Sequence, residues 1–163
     1  MEETLRRIAA GSAAGIGATV LMTVFMLAAR RAGMLSELAP RTITRRAADR
    51  LNGRPPDQAT LELATTANHL AVGIGWGVLH AFALGRLRMG ARARLLLGAT
   101  YGLAIWLVSY WVTLPRLGLM PEPSNDERLR PQAMIAAHLV YGSALAVLDR
   151  ASSGQRGASD RSM

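Results

Sequence analysis

Four stretches of the chain run free of Asp, Glu, Arg and Lys: residues 8–29 (22 positions), 63–85 (23 positions), 95–114 (20 positions) and 133–148 (16 positions). A bilayer core needs ~20 apolar residues in helical form, so the first three are long enough to cross. The fourth reaches that length when Pro131 and Gln132 start its helix in the headgroup zone and the bilayer thins slightly around it. The pattern predicts an all-α polytopic membrane protein with four transmembrane helices at about residues 8–29, 62–86, 95–114 and 132–148. Gly11 and Gly15 lie one turn apart on the first helix, a small-residue spacing that lets a second backbone approach. A packed bundle is therefore expected, not a lone anchor.

The polar connections differ from one another. In "PRTITRRAADRLNGRPP", Pro40 suits a first helical turn, Ile43, Ala47 and Leu51 recur every four residues, and Asn52-Gly53 stops the pattern. This predicts a short amphipathic helix at about residues 40–52, with Arg41, Arg45, Arg46 and Arg50 on its other faces. It lies either in the lipid headgroup plane or as a solvated connector. Arg86, Arg88, Arg92 and Arg94 crowd the second connection without one acid, again suiting headgroup phosphates. The third connection, rich in proline and acids, reads as an ordered turn. Residues 1–150 form one membrane domain, and the small polar tail of residues 151–163 reads as disordered. The first apolar run is too long for a secretory signal and ends at Arg30-Arg31, so it reads as an uncleaved helix.

Charge sharpens this picture. The net charge is +8 and all 19 cationic residues are arginines outside the four runs, an arrangement that suits lipid phosphates and not a nucleic-acid face. No cysteine is present, which excludes disulfides, thiolate metal sites and cysteine nucleophiles. Orientation follows from the arginine excess of cytoplasmic loops. The side holding both termini and the second connection has nine arginines against ten opposite. The higher density of the second connection assigns both termini to the cytoplasm.

"HLAVGIGWGVL" at residues 69–79 returns as "HLVYGSALAVL" at residues 138–148, with five identities in eleven positions. The preceding helices pair Gly11 and Gly15 with Gly98 and Gly102, although their arginine-x-glycine exits are two residues out of step. A duplicated two-helix hairpin accounts for both echoes and relates the copies by an axis along the membrane normal. His69 and His138 then share a depth about 10 Å into their helices. Gly73 and Gly142, one turn on, permit close approach. His80 lies on the same stripe as His69, Gly73 and Gly77.

Three readings of the histidines compete. They hydrogen-bond neighbouring helices and serve packing; or His69, His80, His138, Asn68 and Tyr141 line a polar interior path; or His69 and His138 ligate a haem. Two histidines without a carboxylate at their depth make no zinc or di-iron site. Ser109, Tyr101, Tyr110 and Thr113 lack a carboxylate partner in their span, so no catalytic set is recognisable and neither an enzyme nor a resident cofactor is expected. Trp111, near a helix end, reads as an interface aromatic.

With "PRTITRRAA" after a glycine-rich first helix, HLxxG in the second, and "YGLAIWLVSYWVTLPRLGLMPEP" before "AAHLVYG", residues 8–150 resemble small bacterial inner-membrane proteins of the YagU type. The resemblance implies an inner-membrane location and no assigned activity. Two functions are expected to compete. One is a non-catalytic component that engages membrane lipids, a second copy of itself or a membrane partner. The other is a small transporter or permeation subunit with a histidine-lined cavity, which needs dimerisation because four helices enclose little lumen.

Overall fold

The computed structural model describes residues 1–54, 56–85, 87 and 89–159. Every regular element among them is helical. Five helices carry the fold: α1 (Glu2–Arg31), α2 (Ala39–Asn52), α3 (Gln58–Ala83), α4 (Ala91–Arg116) and α5 (Arg130–Ser159). The additional helix beside the four long ones is α2, the amphipathic segment of the first connection.

By length and composition, three helices can cross a membrane: α1, α4 and residues Arg130–Asp149 of α5. The expectation of four such helices is met by three, because Thr65, Thr66, Asn68, His69 and His80 dilute the apolar character of α3. α1, α4 and α5 extend past their apolar runs at both ends, and α3 at its N-terminal end. Arg6 and Arg7 pair with Glu2 and Glu3 one turn earlier, which carries α1 outward as a solvated helix. The last helix does not stop at residue 150: α5 continues to Ser159, through a stretch that contains no proline to stop it. Residues 160–163 lie outside the described residues.

α1 is the centre of the bundle. Its buried positions Gly11, Ala14, Gly15, Ala18, Thr19, Met22, Met26 and Ala29 follow the three-and-four spacing of one helical face. α3 packs on one flank of α1 and α5 on the other, and α4 packs on α5. The order across the bundle is thus α3, α1, α5, α4. Two antiparallel contacts are made on glycine. A Cβ on Gly11 would stand 2.7 Å from Val78 Cα, and one on Gly77 2.7 Å from Gly15 Cα. A Cβ on Gly98 would stand 2.5 Å from the Gly142 carbonyl, and one on Gly142 2.7 Å from Gly102 N. Backbones this close exclude any side chain, as small-residue membrane contacts require.

Gly11, Gly15, Gly73, Gly77, Gly98, Gly102 and Gly142 therefore all sit at helix contacts. Outside them runs a belt of exposed apolar side chains, including Val20, Val24, Leu63, Val72, Leu96, Leu107, Trp111 and Val147. Soluble monomers rarely leave so much contiguous apolar surface uncovered.

α4 is not uniform. Residues Leu107–Thr113 wind as a π-helix, and the Thr113 hydroxyl donates to the Val108 carbonyl five residues back at 3.0 Å. Pro115 follows two residues later and cannot donate a backbone bond. The widened turn precedes that missing donor and turns Ser109 and Tyr110 inward together.

Candidate functional site

The four long helices splay apart on the side of the first connection and leave a cavity of about 390 Å³. α1 contributes Thr19, Met22 and Met26; α3 contributes Asn68, His69, Val72, Gly73 and Trp76; α4 contributes Ile105, Ser109, Tyr110 and Leu114; α5 contributes Met134, His138 and Tyr141. No side chain lining it carries a formal charge, the imidazoles counted as neutral.

α2 closes the cavity from above. Ala39, Pro40, Ile43, Thr44 and Ala47 face into it. Of the apolar positions Ile43, Ala47 and Leu51, the first two meet the protein interior and only Leu51 is left exposed, at 84%. Its arginines are correspondingly occupied by protein groups. Arg45 donates to Glu37 at 2.8 Å, while Arg41 bonds Glu37 and also reaches Glu62 at 2.8 Å. Arg46 donates to the Leu119 carbonyl at 3.1 Å, and Arg50 to the Leu117 carbonyl. These four arginines latch α2 to acids and open carbonyls of the connections. Of the second-connection arginines, Arg92 and Arg94 flank the start of α4, while Arg86 and Arg88 lie outside the described residues.

A second polar cluster anchors α5. Arg130, only 5% exposed, donates to Glu127 at 2.6 Å and to Asp126 at 3.3 Å, and reaches the Ser36 hydroxyl at 3.2 Å. Tyr110 donates to Asp126, and the Ser36 hydroxyl to Glu127. The bond from Ser36 holds the Glu127 carboxyl below its usual range. Partial burial works to raise the Glu37 carboxyl, but hydrogen bonds from Thr42, Arg45 and Arg41 outweigh it and bring it to about 2.

The polar candidates divide. Asn68, His69, His138 and Tyr141 meet at the cavity. His80 does not join them. It lies toward the opposite end, 3.7 Å from Asp149 and edge-on to Tyr101, in a recess of about 10 Å³ that Arg94 also lines. Equal spacing on one helical face put His69 and His80 on a common stripe, but the glycine contacts of α3 with α1 separate the two ends.

Two tyrosines cross-tie the bundle at the inner end of the cavity. Tyr141 donates to the Gly73 carbonyl at 2.6 Å and Tyr101 to the Trp76 carbonyl at 2.8 Å. His138 engages the Met134 carbonyl of its own helix through Nδ1 at 2.8 Å. His69 Nε2 is buried and, among the described residues, has no hydrogen-bond partner.

Glu37, Asp126, Arg130, Ser109 and Tyr110 were not singled out as interior groups from the sequence. The spacing of Glu37, Arg41 and Arg45 at every fourth residue was a usable signal for the first, since such pairs share a helical face. Asp149 carried none, sitting at the edge of an apolar run.

Residues 5–159 match DUF6789, a family of unknown function. No curated protein and no solved structure matches the chain. The resemblance implied a family without an assigned activity, and that much stands; the family matched is not described as being of the YagU type.

Proposed function

We propose, for a chain that belongs to the family of unknown function DUF6789, a non-catalytic membrane-embedded binding protein whose cavity takes one small, mostly apolar molecule from the lipid phase. The observation that carries this reading is the cavity of about 390 Å³, uncharged along its whole lining and roofed by α2. Its volume falls in the range of roughly 300–1,000 Å³ typical of sites for single organic ligands. α3 and α4 barely pack against each other, and this flank offers an entrance from the bilayer.

In this reading α3 is the fourth crossing. Its 26 residues extend about 39 Å at 1.5 Å per residue, more than a ~30 Å hydrocarbon core. Asn68 and His69 turn to the cavity and His80 to Asp149 and Tyr101, while Leu63, Leu79 and Phe82 face outward. The two glycine-closed hairpins, α1 with α3 and α4 with α5, are then copies of one unit. Both termini lie in the cytoplasm of a bacterial inner membrane, with α2 on the far side. The cross-ties of Tyr141 and Tyr101 support a blind pocket over a conduit.

The test is photolabelling of the full chain in lipid nanodiscs with a neutral phenyl-diazirine, followed by peptide mapping. Labels are expected at the cavity, on Met22, Met134 and Trp76, and are expected to fall at least roughly tenfold in Ile43→Trp, whose indole enters from the roof. Labelling spread evenly over the outer belt, unchanged in Ile43→Trp, defeats the reading. A proton or solute flux through reconstituted protein would favour the transporter instead.

A further inference from the structure

The cavity lining is more selective than its apolar character implies, and the selectivity comes from His138. A backbone carbonyl only accepts hydrogen bonds, so the contact between His138 and the Met134 carbonyl places the ring proton on Nδ1. In the neutral ring Nε2 is then a bare acceptor, on a residue that lines the cavity. A transmembrane interior offers little water to satisfy it. His69 also belongs to the lining, but its own Nε2 is buried away from the free space of the cavity. An occupant that leaves the His138 acceptor unpaired forfeits its hydrogen bond, and one that pairs it is selected.

Charge narrows the occupant further. The arginines and carboxylates nearest the cavity are bound to one another or to backbone carbonyls: Arg41 and Arg45 to Glu37, Arg130 to Asp126 and Glu127, Arg46 to the Leu119 carbonyl. None is left to balance an ion inside. Met22, Met26 and Met134 with Trp76 form the apolar wall. Thioether sulfurs and an indole favour contact with a flat ring.

From these features we infer that the ligand is a neutral ring compound bearing a hydroxyl, a lipid-soluble phenol, whose O–H donates to His138 Nε2. An ether or a ketone cannot donate and leaves the His138 acceptor unpaired. This inference rests on the cavity being a binding site and adds to it the class of molecule bound.

The experiment uses the same photolabel in nanodiscs, with 4-hexylphenol and its methyl ether as competitors at matched membrane concentrations. The phenol is expected to protect the cavity residues at roughly tenfold lower concentration than the ether, the scale of one hydrogen bond made against one buried acceptor left open. His138→Phe, which keeps a ring and removes the acceptor, is expected to bring the two competitors level by weakening the phenol alone. Equal protection by the two in the unmodified chain overturns the inference, whatever the variant does, and leaves the binding cavity standing. A preference for the phenol that survives in folded His138→Phe also overturns it. Failure of the photolabel to mark the cavity at all removes the binding reading and this inference with it.

Discussion

The hairpins α1–α3 and α4–α5 use the same contact chemistry in different registers. In the first, Gly11 lies on Gly77 and Gly15 on Gly73; in the second, Gly98 lies on Gly142, and Gly102 meets the His138 carbonyl and Gly142. Aligned by their shared HLxxG segments, the crossings differ by about one helical turn. That turn changes what happens to each histidine. His138 has its carbonyl pressed against Gly102, whereas His69 lies a turn outside Gly73, whose side-chain neighbour is Thr19. Like sequences thus fix which residues touch, while the length and anchoring of the connections fix where. α3 begins on an exposed Asp57 that accepts from Thr60 N at 3.0 Å. α5 begins on the buried Arg130 and Asp126 pair.

That unequal anchoring gives the largest expected effect. Arg130→Ala leaves the Asp126 carboxylate buried without its cation and is expected to cost about 3–5 kcal/mol in unfolding free energy. Asp57→Ala, which removes an exposed cap, is expected to cost far less. Equal losses in steric-trapping measurements in bilayers would mean the two hairpins are anchored alike.

The glycine contacts come next. Gly15→Val and Gly102→Val each force apart a backbone pair and are expected to destabilise by about 1–3 kcal/mol or more. Gly75→Ala meets nothing within 4 Å and is expected to be neutral within experimental error. A loss confined to one hairpin in the same assay would show that only that crossing depends on backbone proximity.

The smallest effect distinguishes the connections. Glu37 has its folded pKa lowered to about 2 from 4.5. Its contribution is therefore fully present above pH ~4.5 and is lost as pH falls toward ~2. Hydrogen exchange at the α2 amides is expected to quicken over that window, and Glu37→Gln is expected to abolish the pH dependence. A flat profile in the unmodified chain would detach α2 from this ion-pair cluster.

The helices were legible because their signals are local. Uncharged runs marked the long elements, and Ile43 and Ala47 marked α2. The seven glycines were legible for the same reason, since a four-residue spacing names a helical face. What those faces meet was not local. Whether Ile43 lies on lipid or on a cavity depends on how far α3 and α4 splay, and that follows from packing across the bundle. Arg130 read as one more flanking cation, because its burial comes from Ser36 and Tyr110, remote in the chain. His80 was misplaced since a shared stripe says nothing of which neighbour interrupts it. α3 resisted for a different reason: the polar groups that shape its inner face are the ones that dilute its apolar signal.

The wide turn at Leu107–Thr113 makes the aim of α4 a matter of counting as well as chemistry. Removing one residue there would restore an ordinary helix and rotate everything on one side of the cut by about 100° relative to the other. Tyr110 would swing off Asp126 even though neither residue had changed. This stretch can therefore tolerate many exchanges of one apolar residue for another and yet no change in length, so insertions and deletions are the sharper probe of what it does.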